Sequence, residues 1–243
     1  MHLEWDDWFR HDDWRDDFDA FRFGPFSFTQ VLWEAMQQLH LDLAMGHLAA
    51  AANAIVAANP RNGFTEAEQD RYLLQGKFKF RRFWRRIPGP GNFPDIPVNF
   101  PPLLFKGFTA AEQTANPNAF GMVDQIVPAN QPGNVVKLHM QFFVAWSQRP
   151  VRAANFPLDS LGKRRLALAV AATIIHEVLH LHGYIHGNRP AGAYNPANPY
   201  FRTFPEVAEA ALLQHHAAEF GGNPPLSLTG SANESFPSCR DGL

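Results

Sequence analysis

Residues 176–186 read HEVLHLHGYIH, and the fold that we expect follows from this stretch. His176 and His180 are four residues apart, so on a helix their side chains project from the same face, one turn from each other. Glu177 follows the first histidine and is rotated by about 100° around the helix. Two imidazoles on one face with a carboxylate beside them are groups that hold a zinc ion and move a proton next to it.

A glycine and a third histidine continue this pattern. Gly183 lies three residues after His180, and His186 lies three residues after the glycine. A glycine here can adopt the left-handed conformation that ends a helix, which turns the chain back toward the metal ion. The spacing therefore predicts a Zn²⁺ ion bound by three histidines. Its ligands are His176, His180 and His186.

Glu177 is expected to act as the general acid and base of this site. Three neutral nitrogens leave zinc one position for water, and zinc lowers the pKa of that water toward about 7. Glu177 would accept the proton as the water attacks a carbonyl, and would then deliver it to the leaving amine. The pattern predicts a zinc metalloendopeptidase that hydrolyses peptide bonds in a peptide or protein substrate.

The motif lies at the end of a predicted helix, and a second long helix precedes it in the chain. Asp159 or Ser160 can cap the helix of the motif. Its apolar stripe consists of Leu166, Val170, Ile174, Val178 and Leu181. Apolar residues at helical spacing predict the other helix from about Thr29 to Ala58, where Asn59 and Pro60 stop it. His40 and His47 lie on that helix, and with no third ligand in view we expect them to pack or to face solvent.

The remaining elements are predicted from local patterns. Thr109 and Glu112 have the spacing of a capping box. Residues 119–127 and 134–146 are typical of strands, and the second can form the edge strand along which an extended substrate lies. A further helix is expected at about Pro205–Phe220, with His215 and His216 on a polar face.

The pattern HExxHxxGxxH resembles the signature of the metzincin clan of zinc peptidases. The strict resemblance covers eleven residues, 176–186, and extends loosely to the order of the elements. It implies an α+β, zincin-like catalytic domain with a backing helix, a mixed sheet, an active-site helix and a small C-terminal helical subdomain. The upper subdomain would span residues 28–183 and the lower subdomain residues 184–243, with the cleft between them.

The sequence departs from the clan at the Met-turn, which places a methionine beneath the zinc after the third histidine. No methionine follows His186, and Ala193 or Tyr194 lies nearest to its place. Some members use a tyrosine after this turn to bind zinc or to stabilise an oxyanion. The resemblance implies that catalytic role for Tyr200 or Tyr194.

Two alternatives stay open on the residues alone. In a gluzincin-like peptidase, Glu206 or Glu209 would supply the third ligand and His186 would be incidental. In a non-catalytic binding module, zinc would only stabilise the fold. Glu177 argues against the second alternative, because a structural zinc site needs no general base.

Charge is distributed unevenly along the chain, although the formal net charge is only −2. Residues 1–25 contain eight acidic side chains that alternate with aromatics, and we interpret residues 1–27 as an N-terminal arm. Residues 77–86, KFKFRRFWRR, contain six cations, a composition that also suits nucleic acid. Because the arm can dock on this segment, no nucleic-acid partner is expected.

Composition restricts the class of protein further. Among 243 residues, 46% are hydrophobic and 18% charged, as in ordinary globular proteins. Cys239 is the single cysteine, so an intrachain disulfide is excluded. No run approaches the roughly 18 apolar residues of a membrane span, and the start lacks the features of a secretory signal. As written, the chain is expected to be cytoplasmic, or secreted if a signal has been removed.

Overall fold

A computed structural model of the chain describes residues 18–48, 50–51, 54, 103–117, 119–123, 135–181 and 204–220. These residues form helices and a smaller amount of sheet, which is an α+β composition. The strands are β1 (Arg22–Phe23), β2 (Phe26–Ser27), β3 (Leu104–Gly107), β4 (Gly121–Met122) and β5 (Val135–Leu138). The helices are α1 (Phe28–Ala44), α2 (Ala110–Ala115), α3 (Met140–Ser147), α4 (Pro150–Ala153), α5 (Ser160–His180) and α6 (Phe204–His215), and a 3₁₀ turn (Ala217–Phe220) follows α6.

Helix α5 lies at the centre of the described core. Asp159 caps it, as predicted, because its carboxylate accepts hydrogen bonds from the amides of Leu161 and Gly162; such a cap contributes about 1 kcal/mol. The predicted apolar stripe is buried, but so is every other residue from Leu166 to Leu181. The reason is that α1, α3, α6 and the strands β4 and β5 all pack on α5. The alanines of this helix let its neighbours approach closely on several faces.

Helix α1 is shorter than the sequence predicts. It begins at Phe28, after a capping box formed by Ser27 and Gln30, and ends at Ala44 instead of near Ala58. Gly46 has a φ of 76°, a left-handed conformation that interrupts the helix. Helical residues resume at His47. The predicted stop at Asn59 lies outside the described residues.

The sheet corrects two expectations about residues 134–146. Only Val135–Leu138 form a strand, because His139 then caps α3 by accepting a hydrogen bond from the amide of Phe142 at Nδ1. The aromatic residues that follow are buried at helical spacing. The strand order is β3-β5-β4, with β3 parallel and β4 antiparallel to β5. β5 is therefore the central strand and offers no edge to a substrate.

Strand β4 is an edge of this sheet within the described residues. It covers only Gly121–Met122 of the strand predicted over residues 119–127, and residues 124–127 lie outside the described part. The capping box predicted before α2 is confirmed, since Thr109 and Glu112 exchange both hydrogen bonds. Glu112 also pairs with Lys137 on β5, which ties α2 to the sheet.

Helix α6 and its 3₁₀ turn confirm the helix expected at about Pro205–Phe220. Arg164 joins this region to the rest of the core. Its guanidinium contacts both carboxylate oxygens of Glu219, at 3.0 and 3.1 Å, and donates to the Gln38 side chain at 2.9 Å. One cation near the start of α5 thus fixes the end of α6 against α1.

The acidic arm is described only in part, and the basic segment 77–86 is not described. The structure describes the arm from Phe18 onward, and the basic segment lies outside the described residues. Phe18 and Phe23 are fully buried in the core. Within the described part, none of the helices is both long enough and apolar enough to cross a bilayer.

Candidate functional site

The residues of the motif that the structure describes lie together on the last turn of α5. His176, Glu177 and His180 are each only 1% exposed. The imidazole centroids of the two histidines are 4.9 Å apart, with their planes inclined at 67°. Nitrogens of two such rings can share an ion that lies 2.0–2.1 Å from each. Burial on a rigid helix holds both rings in place.

Glu209 on α6 contacts the first of these histidines. Its Oε2 lies 3.0 Å from Nδ1 of His176, and both side chains are buried. Burial raises the pKa of Glu209 to about 8. A histidine that binds metal through one ring nitrogen usually donates the hydrogen of the other to a carboxylate or carbonyl. A carboxylate at Nδ1 is the arrangement that supports metal binding through the other ring nitrogen, Nε2.

Glu177 lies against the edge strand β4 at a glycine. A Cβ placed on Gly121 would be 3.0 Å from Oε1 of Glu177 and 2.7 Å from Cγ2 of Thr173. The missing side chain therefore makes room for the Glu177 carboxylate beside the sheet edge. The rings of His176 and His180 offer nitrogen ligands that fit a zinc ion. Glu209 supports the first of these rings, and Glu177 has space for its own carboxylate.

Several residues proposed from the sequence lie outside the described part of the chain. They are Gly183, His186, Tyr194 and Tyr200. Glu206 lies on α6, but its side chain is not among those described. The structure thus brings together His176, Glu177 and His180 of the predicted site, and adds Glu209. The sequence named Glu209 only as an alternative zinc ligand.

A second cluster combines histidines that the sequence analysis did not assign to any site. Asp42 on α1, His47 beyond Gly46 and His215 on α6 each offer one ligand atom, and these atoms all lie within 4.8 Å of one another. These three side chains can hold a metal ion. Among the described residues, this is the one set of three His, Cys, Asp or Glu side chains that meets this distance.

The cluster was missed for a geometric reason. On one continuous helix Asp42 and His47 would be rotated about 140° apart, whereas the break at Gly46 brings them together. His216, which was expected on a polar face, contacts the carboxylates of Asp42 and Glu219, but it is only 5% exposed. Burial lowers the pKa of His215. Burial opposes protonation of His216 too, but the Asp42 and Glu219 carboxylates raise its pKa overall.

Protein-family models, curated protein sequences and solved structures were compared with this chain, and none of them matches it. Its function is therefore inferred from the geometry of the site.

Proposed function

We propose that this chain is a zinc-dependent metallopeptidase of the metzincin-like, zincin type. The observation that carries the proposal is the buried constellation around the last turn of α5. His176 and His180 lie one turn apart, Glu209 contacts Nδ1 of His176, and Gly121 leaves space beside Glu177. The third ligand in this proposal is His186.

Each described residue has a distinct role in the proposed reaction. The zinc ion, when bound, polarises the carbonyl of the scissile bond and makes water a better nucleophile. Glu177 accepts the proton of the attacking water and delivers it to the leaving amine. Glu209 does not touch the substrate, but holds His176 in one orientation through Nδ1. Burial excludes bulk water, which strengthens the contact of Glu209 with His176 and that of Glu177 with the attacking water.

The edge of β4 is the proposed binding place for the substrate. β4 pairs with β5 and is the last strand of this sheet within the described residues. An extended peptide can add to such an edge through main-chain hydrogen bonds. Gly121 on this strand adjoins the Glu177 carboxylate, so a peptide paired with β4 passes beside the general base. This assignment replaces the substrate edge expected at residues 134–146.

The position of Glu209 favours the metzincin-like alternative over the gluzincin-like one. A third zinc ligand must reach the ion together with His176 and His180, but Glu209 lies at the Nδ1 side of the His176 ring. The two nitrogens of an imidazole point in different directions, so a carboxylate at Nδ1 is better placed to support the ligand than to share its ion.

Zinc analysis combined with digestion of unfolded casein tests the proposal. The wild type should bind zinc and cleave casein. Glu177→Gln should keep the zinc content and lose activity by about 100-fold or more, because an amide cannot accept the proton. Glu34→Gln, which removes a carboxylate on α1, is the matched control and should remain active.

Two results would contradict the proposal. A zinc-loaded wild type that cleaves no unstructured protein would favour a structural zinc module. A fully active Glu177→Gln protein would remove this residue from the mechanism.

A further inference from the structure

Asp42 is a buried carboxylate at the meeting point of three segments. It is 1% exposed and lies near the end of α1. His47 approaches it from beyond the break at Gly46, and His215 and His216 approach it from the end of α6. None of these residues takes part in the proposed peptidase site. From Glu209 to His215 the distance along the axis of α6 is about 9 Å, at 1.5 Å per residue.

The two oxygens of Asp42 have different environments. Oδ2 accepts a hydrogen bond from Nε2 of His216 at 2.7 Å. Oδ1 accepts a hydrogen bond from Gln38 at 2.9 Å and also faces Nδ1 of His47 at 3.6 Å and Nε2 of His215 at 3.9 Å. The last two distances are too long for hydrogen bonds. The His216 contact shows that a histidine can approach this carboxylate closely when it forms such a bond.

The longer distances suit a shared metal ion. Ligand atoms at 2.0–2.2 Å from a tetrahedral ion are separated by about 3.3–3.5 Å. The 3.6 and 3.9 Å distances from Oδ1 of Asp42 exceed this separation by a few tenths of an ångström, and all three ligand atoms lie within 4.8 Å of one another. Nδ1 of His47 is buried and has no hydrogen-bond partner among the described residues. The rings of His47 and His215 face each other with centroids 4.5 Å apart.

We propose that Asp42, His47 and His215 bind a divalent transition-metal ion at a second site, separate from the peptidase site. Two imidazoles and one carboxylate suit ions such as Zn²⁺ and Co²⁺, whereas Mg²⁺ and Ca²⁺ prefer oxygen ligands alone. The side chains of His47 and His215 are 41% and 34% exposed, so the ion is accessible from solvent and keeps room for a water ligand. The ion joins α1, the segment beyond Gly46 and the end of α6.

Neighbouring side chains hold the ligands in position, as is usual around metal sites. Gln38 and His216 orient the Asp42 carboxylate. His216 also contacts Glu219, which in turn binds Arg164 of α5. The second site is thus connected to both helices of the peptidase site and has a structural role. The ion stabilises the end of the helix that carries Glu209.

Zinc content per chain distinguishes this site from the peptidase site. The full chain and its variants are loaded with Zn²⁺, dialysed and analysed for metal. We expect two zinc ions in the wild type and one in His47→Ala, in His215→Ala and in His180→Ala. Combining His215→Ala with His180→Ala should leave none. Gln214→Ala, an exposed neighbour on α6, is the control and should keep two.

The pattern of losses separates the two proposals. If no zinc binds at His176 and His180, the peptidase proposal fails by itself, and the wild type holds one zinc ion that His215→Ala removes and His180→Ala does not. If both His47→Ala and His215→Ala keep the wild-type zinc content, the second site is refuted.

Thermal unfolding of the His180→Ala protein gives an independent readout. Zn²⁺ or Co²⁺ should raise its melting temperature, and adding His215→Ala should weaken the apparent affinity for either ion by about tenfold or more. Mg²⁺ should have no effect. An equal increase with Mg²⁺, or a Zn²⁺ effect that survives His215→Ala, would overturn the proposal.

Discussion

Nδ1 of His176 and Oε2 of Glu209 lie 3.0 Å apart in the core, although 33 positions separate the two residues in the sequence. The contact joins the last turn of α5 to the middle of α6. It also fixes the ring of His176, because rotation of the ring would break a buried polar contact. The orientation of a proposed zinc ligand therefore depends on the packing of α6.

Replacing Glu209 by glutamine tests this support. Glu209→Gln keeps the size of the side chain but replaces the carboxyl group that contacts Nδ1 of His176 by an amide, and we expect zinc affinity at the peptidase site to fall by about 10- to 100-fold while zinc still binds at saturation. Glu206→Gln, one turn earlier on α6, is the control and should leave the affinity unchanged. Complete loss of zinc from Glu209→Gln at saturation would instead make Glu209 a direct ligand.

The third ligand is tested through His186 and the glycine before it. His186→Ala removes a zinc-binding nitrogen, so zinc affinity at this site should drop by orders of magnitude. Gly183→Val should have the same effect without touching a ligand, because a β-branched residue resists positive φ. Zinc retention is measured against a chelator at a concentration that leaves the wild type loaded. If His186→Ala retains this zinc ion, the metzincin-like assignment is wrong.

The space beside Glu177 gives a prediction that separates catalysis from metal binding. In Gly121→Ala the new Cβ would crowd Glu177 and Thr173. Displacing the general base by even 1 Å can cost about 100-fold in rate, so casein cleavage should fall by about tenfold or more at unchanged zinc content. In Gly107→Ala on β3 the Cβ meets only the flexible end of Met140, and activity should persist. Equal effects of the two variants would show that the Gly121 position has no special relation to Glu177.

Acid stability should depend on the carboxylate that caps α2. Burial alone would raise the pKa of Glu112, but its hydrogen bonds to Lys137 and Thr109 lower it below the ordinary value of 4.5. A depressed pKa in the folded state contributes stability above pH 4.5 that is lost as the pH falls through the lower value. The difference in melting temperature between the wild type and Glu112→Gln should therefore be largest above pH 4.5 and become smaller as the pH falls below that value. A difference that is constant with pH would contradict this expectation.

Local patterns were sufficient to predict the elements that carry the site. Four features depend only on neighbours within a few residues, and all four are present. They are the caps at Asp159 and Thr109, the helix of the motif and the C-terminal helix. The spacing of His176, Glu177 and His180 likewise determines their shared turn, because helix geometry alone relates residues one and four positions apart. These features follow directly from the sequence.

Tertiary structure decided which distant side chains meet. The sequence could not show that β5 is central, since strand order depends on pairing between remote segments. It could not show that Gly46 adopts a positive φ and redirects His47 toward Asp42, because glycine tolerates both signs of φ and packing selects one. Glu209 and His215 lie on α6, and only the packing of that helix against α5 brings Glu209 to His176 and its end to Asp42.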